Sequence, residues 1–368
     1  MSTLAENVAK VTAAHAALKE AIAAKGVTVP DGTKLSGMPA LIEQIETPPV
    51  PTNPKAGFAY DNATSIVVPK VLVVDMSECS DLSKCFQNCL YLKTLTLLDG
   101  FGQAATDLGD CFSGCDSLAS LTLPAGFGQA ATSLDSCFLS CNFLASLTLP
   151  AGFGQAATTL FNCFRGCNSL ASLTLPAGFG QAATDLGNCF SGCNHLASLT
   201  LPDGFGQDAT SIFACFNGCN SLASLTLPAG FGQAATRSYS CFNGCNSLAS
   251  LTLPAGFGQA ATSFSNCFYN CKSLASLTLP GGFGQAATSL SSCFYGCSKL
   301  TDITGNPNFK VSLDLSPCTQ LTHDSLMVVI NGLQTVTTTQ KLTLGATNLA
   351  KLTDGEKKIA TDKGWTLA

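Results

Sequence analysis

The sequence predicts an α/β repeat solenoid, a stack of short parallel strands with an N-terminal helix and an α/β C-terminal cap, and three observations support this. Cys-Phe-x-x-Cys recurs nine times, starting at Cys85, Cys111, Cys137, Cys163, Cys189, Cys215, Cys241, Cys267 and Cys293, and every step is 26 residues. A fixed period in this range marks units that bury their apolar faces only against their neighbours. Within a unit, Leu118, Leu121 and Leu123 follow the order Leu-x-x-Leu-x-Leu, and Thr122 faces the opposite way, as in a short parallel strand. The period is lost on both sides of the array, where terminal coils need a different covering.

Residues 1–46 read as a helical oligomerisation or attachment segment. Thr3 and Glu6 make a capping box, and Gly26 stands where a C-terminal cap belongs. Leu4, Val8, Val11, His15, Leu18 and Ile22 form a heptad seam, which predicts either a homo-oligomer, most naturally a trimer, or a single helix docked on another surface. Met38 to Ile45 is a second short helix with Pro39 in its first turn. Residues 47–57 are a Pro-rich linker. The solenoid is placed at 58–304, with Val71-Leu-Val-Val74 in an irregular opening coil.

Inside each coil, Pro124 and the turn Gly126-Phe127-Gly128 end the strand, with Phe127 packed inward. Leu134, Phe138 and Cys141 supply the apolar side of a return segment, expected as one short helical turn. Residues 305–368 form the cap: a helix from Thr322 to Asn331, a strand at Lys341–Leu344, a helix opened by Thr353 and Glu356, and a final strand at Trp365–Leu367. Trp365 is expected in the cap's core.

Composition narrows the function. Charged residues are 11% of the chain and the net charge is −5. With no Lys/Arg run, neither nucleic acid nor an anionic membrane is expected as a partner. No run of about 18 apolar residues predicts a membrane span. The start, Met1-Ser-Thr-Leu-Ala-Glu6, lacks a basic region and an apolar segment, so a secretion signal is not expected.

Cys-x-x-x-Cys is not the spacing of a zinc ribbon. The 20 cysteines are expected mainly as small buried thiols, with disulfides between stacked coils and metal binding as the alternatives. Gly-Phe-Gly is a turn without the Lys-Ser/Thr of a phosphate loop. His15, His195 and His323 lie in three separate segments, so no catalytic set and no cofactor is expected. His195 replaces a serine found in most other copies and is expected at the surface.

The copies differ in two columns. Two residues before the first Cys stand Gly109, Asp135, Phe161, Gly187, Phe213, Tyr239, Ser265 and Ser291. Just after the Phe stand Ser113, Leu139, Arg165, Ser191, Asn217, Asn243, Tyr269 and Tyr295. Aromatic and Arg side chains on a Ser/Asn-rich face are the kind that carry binding energy, the alternative being drift at tolerant solvent positions. Phe161, Arg165, Phe213, Arg237, Tyr239, Tyr269 and Tyr295 are therefore the candidate ligand-binding residues.

Phe112-x-x-Cys115-x-x-Leu118-x-x-Leu121-x-Leu123-Pro124 resembles the BspA-like leucine-rich repeat family of bacterial surface proteins, over about residues 70–300. The 26-residue spacing is longer than that family's usual repeat. The resemblance implies a right-handed, curved solenoid used for adhesion and for protein or glycan binding. The segment from Ala14 to Ile42 resembles the opening segments of phage tail proteins, and Leu352 to Leu367 resembles the C-terminal caps of similar repeat proteins. Together they imply a phage tail-associated receptor-binding protein of the virion, held to other tail proteins by its N-terminus and recognising a bacterial surface protein or glycan. The alternatives are a bacterial leucine-rich-repeat adhesin at the cell surface and a purely structural virion spacer.

Overall fold

Parallel pairing one repeat apart organises the chain. In the computed structural model, the described residues are 65–67 and 79–368. The N-terminal helices, the linker and Val71–Val74 fall outside them. Strands β1 (Ser65–Val67), β2 (Thr94–Thr96) and β3 (Ser120–Thr122) form one ribbon, β4 (Ser172–Thr174) and β5 (Ser198–Thr200) a second, and β6 (Ser250–Thr252), β7 (Ser276–Leu279) and β8 (Asp302–Gly305) a third. The register keeps like residues together: Leu95 opposite Leu121, Leu173 opposite Leu199, Leu251 opposite Leu277. Ser65 pairs with Thr94, so the opening coil is longer than the regular 26 residues.

The ribbon opens at 146–149 and again at 224–227, three repeats apart, although both stretches read Ser-Leu-Thr-Leu like their neighbours. On the opposite flank, parallel bridges run unbroken from Asp81 through Asp107, Ser133 and Thr159 to Ser289. The result is a parallel-strand solenoid of about 11 turns.

Two phenylalanine ladders fill it. Phe86, Phe112, Phe138 and their equivalents up to Phe294 stack with ring centroids 5.2–5.7 Å apart. Phe101, Phe127, Phe153 and their equivalents up to Phe283 stack at 6.0–6.4 Å. Both spacings exceed the strand separation of about 4.8 Å, as offset-stacked rings require. Phe309 closes the second ladder edge-on against Phe283, at 86°. The second glycine of each Gly-Phe-Gly turn makes this possible. Gly128 has φ +68°, and a Cβ there would lie 2.6 Å from the ring of Phe153 in the next coil.

The cysteines acquire a specific task. From Cys115 to Cys297, the second Cys of each motif turns its thiol toward the carbonyl of the phenylalanine one coil back. Cys115 donates to Phe86 at 3.1 Å, Cys193 to Phe164 at 3.1 Å and Cys297 to Phe268 at 3.0 Å. Each of these carbonyls also accepts a backbone N–H within its own coil, as Phe112 does from Cys115. Cysteine is thus small enough for the coil interior and still supplies a weak donor to a buried carbonyl. All 20 cysteines are free thiols.

The return segment is not the helical turn expected from its apolar spacing. Ser136 (φ 56°) and Ser140 (φ 58°) adopt the left-handed conformation, which breaks the segment into consecutive tight turns. Glycine, Asn or Asp, the residues that tolerate it best, fills most equivalent positions.

The cap continues the parallel pattern with β9 (Leu313–Asp314), β10 (Gln340–Thr343) and β11 (Trp365–Leu367) in the order β11-β10-β9. Helix α1 (His323–Asn331), N-capped by Thr322, buries Leu326, Val329 and Ile330. Helix α3 (Asp354–Asp362) carries the full Thr353/Glu356 capping box. Strand β9 and the one-turn helix α2 (Gly345–Leu349) have no counterpart in the sequence reading, being too short to show a period. Asn348, fully buried on α2, donates to the carbonyls of Leu315, Cys318 and Leu344. Trp365 is buried and its indole N–H reaches the Gln334 carbonyl at 2.8 Å.

Candidate ligand-binding surface

The first variable column lies two residues after the parallel bridges, so its side chains are held one coil apart by backbone hydrogen bonds. There the aromatics are gathered rather than scattered. The rings of Phe213 and Tyr239, in successive coils, stack at 5.0 Å and 18°. Phe161 lies two coils from Phe213, yet their centroids are 6.1 Å apart. Gly187 sits between them and allows it: a Cβ at that position would collide with the Phe213 ring. The Asp185 carboxylate accepts the Gly187 N–H at 2.8 Å and holds this notch in place.

Arg237 completes the cluster. Its guanidinium lies 4.7 Å from the centre of the Phe213 ring, and Nη2 donates to the Tyr239 hydroxyl at 3.4 Å. Phe161, Phe213 and Tyr239 are half-buried, and Arg237 is exposed. A cation over a ring contributes about 0.5–1 kcal/mol at such a site, and leaves the outer N–H groups free to bind an acceptor. Arg165 and Arg237 are the only arginines of the chain, and no lysine lies between Lys93 and Lys272. The cluster therefore holds one of two guanidinium groups on a long uncharged or acidic stretch. Asp135, next in the column below Phe161, is desolvated by its surroundings and its carboxyl is raised above the usual range.

The other candidates separate from this group. Tyr269 and Tyr295 form their own stacked pair at 5.1 Å and 16°, with Tyr295 exposed. Arg165 stands alone in the second column, its guanidinium 3.5 Å from the Asn162 side-chain oxygen. His195 is exposed, and its Nδ1 hydrogen-bonds to the Asn168 carbonyl at 2.7 Å.

A third column was not among the candidate residues. It lies two residues after the second Cys and carries Tyr91, Phe143 and His195 where most coils have serine. Comparing all copies at that position would have revealed it. Beside it runs a ladder of amides in which Asn142 donates to Asp116, Asn168 to Asn142, Asn194 to Asn168, Asn220 to Asn194 and Asn246 to Asn220. The ladder stops where Lys272 replaces the next Asn, leaving the Asn246 side-chain oxygen buried without a partner.

Among the described residues there is no group of three or more His, Cys, Asp or Glu side chains able to hold a metal ion. No described helix is long and apolar enough to cross a membrane. The shallow groove on the strand face lined by Ser146, Thr148, Ser172 and Thr174 carries no charged side chain.

The repeat geometry agrees with a family model. That of the BspA type leucine-rich repeat region matches in six copies, over residues 55–184, 82–214 and 188–314. The chain belongs to this family. Among solved structures, this BspA-type protein is similar to a leucine-rich repeat protein from Bacteroides ovatus, at 19% identity, with 87% of this chain and 88% of that one covered and a TM-score of 0.42. It is also similar to a leucine rich cell surface protein from Faecalibacterium prausnitzii, at 18% identity over 66% and 79% of the two chains, with a TM-score of 0.27. No curated protein matches the sequence.

Proposed function

We propose that this protein is a non-catalytic adhesion protein that recognises a bacterial surface protein or glycan through the Phe161–Phe213–Tyr239–Arg237 cluster. BspA-type repeat proteins are generally binding proteins, typically of the bacterial cell surface, which supports the reading. The observation that carries it is the convergence of variable-column aromatics and one of the chain's two arginines on Phe213. Pre-stacked rings lose little conformational freedom on binding, and the Arg fork supplies direction. The test is retention of the fluorescently labelled full chain on a panel of intact bacteria, with and without the triple change Phe213→Ser, Arg237→Ser and Tyr239→Ser. These replacements are residues that other coils carry in the same columns or are comparably small. Adhesion that survives all three changes would defeat the proposal.

A second reading, a phage tail-associated receptor-binding protein, rests on the heptad seam from Leu4 to Ile22. Three solenoids joined there would present the cluster three times and gain avidity without any new contact. The solution mass of the full chain beside one lacking residues 1–50 decides it. A trimer that becomes a monomer favours this reading, and a monomer in both cases removes it.

A further inference from the structure

Tyr91, Phe143 and His195 follow one another at intervals of two 26-residue repeats, in one register column. Tyr91 is 55% exposed and Phe143 64%, and His195 is exposed as well. The intervening coils carry Ser117 and Ser169, and the coils above carry Ser221, Ser247 and Ser273. Phe143 is largely left in water where the repeat's own residue is serine, so it contributes little to folding, and among the described residues no other ring stacks on it. The backbone beneath is fixed. Phe143 N–H donates to the Asp116 carbonyl at 3.2 Å, Ser169 to Asn142 at 3.1 Å and His195 to Asn168 at 3.2 Å. Successive coils at this column thus keep the hydrogen-bonded spacing of about 4.8 Å, and the aromatic residues stand roughly twice that apart. The amide ladder from Asp116 to Asn246 locks the same spacing alongside. The Asn168 carbonyl takes the His195 Nδ1–H, which fixes that ring too.

We propose that Tyr91, Phe143 and His195 form a linear platform for an extended β-1,4-linked polysaccharide lying along the solenoid axis. Such a glycan turns each sugar over relative to the last, so the same face returns once per disaccharide, a length comparable to two coils. Alternate pyranose rings then meet an aromatic ring, and the inverted sugars between them pass over Ser117 and Ser169, whose hydroxyls suit sugar hydroxyls. A protein partner would require a contiguous apolar centre, and here small polar residues interrupt the row. Nucleic acid would require cations along the path, and the column from Tyr91 to Ser273 carries no Lys or Arg. The platform is distinct from the Phe213 cluster and holds whether or not that cluster binds.

Calorimetric titration of the full-length protein with cellohexaose and with chitohexaose tests it, with maltohexaose as the control whose α-links curl the chain out of register. At least one β-1,4 hexasaccharide is expected to bind, with maltohexaose about tenfold weaker or worse. Phe143→Ser is expected to weaken binding by about tenfold or more, and the triple change with Tyr91→Ser and His195→Ser to abolish it. Serine is the repeat's own residue here, so the fold is not at stake. Removal of residues 117–142, one whole repeat, brings Tyr91 and Phe143 into adjacent coils and should also abolish binding. Failure of the wild type to bind either β-1,4 hexasaccharide would overturn the proposal. So would equal binding of maltohexaose, unchanged binding by the triple variant, or loss only on Phe213→Ser.

Discussion

Phe264 occupies the space that Ser238, one coil earlier, leaves empty. In six preceding coils a Leu or Ile methyl lies beside the second glycine of the Gly-Phe-Gly turn, as Leu108 Cδ1 does 3.1 Å from where a Gly128 Cβ would sit. At Gly258 the register-mate is Ser238, and the neighbour found there is the tip of the Phe264 ring. That ring also packs 4.3 Å from Phe283. Ser238 is fully buried and its hydroxyl has no partner. The large residue in one coil compensates for the small one in the other. Ser238→Leu alone should overpack and cost about 1–3 kcal/mol, and Phe264→Leu alone should leave a void and cost about 2 kcal/mol. The double change restores the column of the other coils and removes the orphan hydroxyl, so it should be at least as stable as the wild type. Urea unfolding of all four proteins checks this; additive losses would show that the two sites are independent.

The amide ladder ends on an unsatisfied acceptor, which predicts a simple gain. Lys272→Asn provides an Nδ2 donor for the Asn246 side-chain oxygen and should stabilise the solenoid by about 1 kcal/mol. A midpoint that falls on Lys272→Asn would show that the oxygen is already satisfied by water.

The cysteines should behave as core residues. Burial pushes the thiols of Cys141, Cys193, Cys245 and Cys267 up to about 12, so thiolate is scarce at pH 8. Only Cys79 is partly exposed. A native sample treated with Ellman's reagent should release about one equivalent quickly and the remainder only with denaturant. Cys193→Ala should cost about 1–2 kcal/mol through the lost volume and the lost thiol donor to the Phe164 carbonyl, which keeps its bond from the Cys167 N–H.

The cap carries a pH-dependent clasp. His323 Nε2 lies 2.9 Å from Glu356 Oε1, joining the start of α1 to the capping box of α3. The hydrogen bond to Glu356 raises the imidazole above its ordinary value, while bonds from Thr353, chiefly, lower the Glu356 carboxyl. The histidine's contribution is complete below its unfolded value and lost as pH rises through the folded one. The glutamate's is present above its unfolded value and lost as pH falls through the lowered one. Cap stability, followed by the fluorescence of the single Trp at 365, should therefore peak at about pH 5–6, between the two ordinary ranges. His323→Gln should flatten the alkaline side. A profile unchanged by that substitution would remove the clasp.

The architecture was legible because a strict period repeats one packing solution: Leu121 reads as a strand residue and is one, and Leu95 and Leu173 stand at the same place in their own coils. The return turn was misjudged because apolar spacing at Leu134, Phe138 and Cys141 cannot show that Ser136 and Ser140 adopt positive φ. The site was legible only as columns. Nothing local in Phe161 and Phe213 shows that they meet across Gly187, since that depends on a glycine one coil away. The row of Tyr91, Phe143 and His195 was hidden for a different reason, its two-repeat period being masked by the serines between.

The most direct measurement of the central claim compares cell retention of three proteins in one assay: the wild type, the variant with Phe213, Arg237 and Tyr239 all changed to Ser, and the variant with Tyr91, Phe143 and His195 changed likewise. Loss of retention in the first variant, with its circular dichroism and unfolding midpoint close to wild type, is the expected result. Wild-type retention in that variant would contradict recognition through the Phe213 cluster.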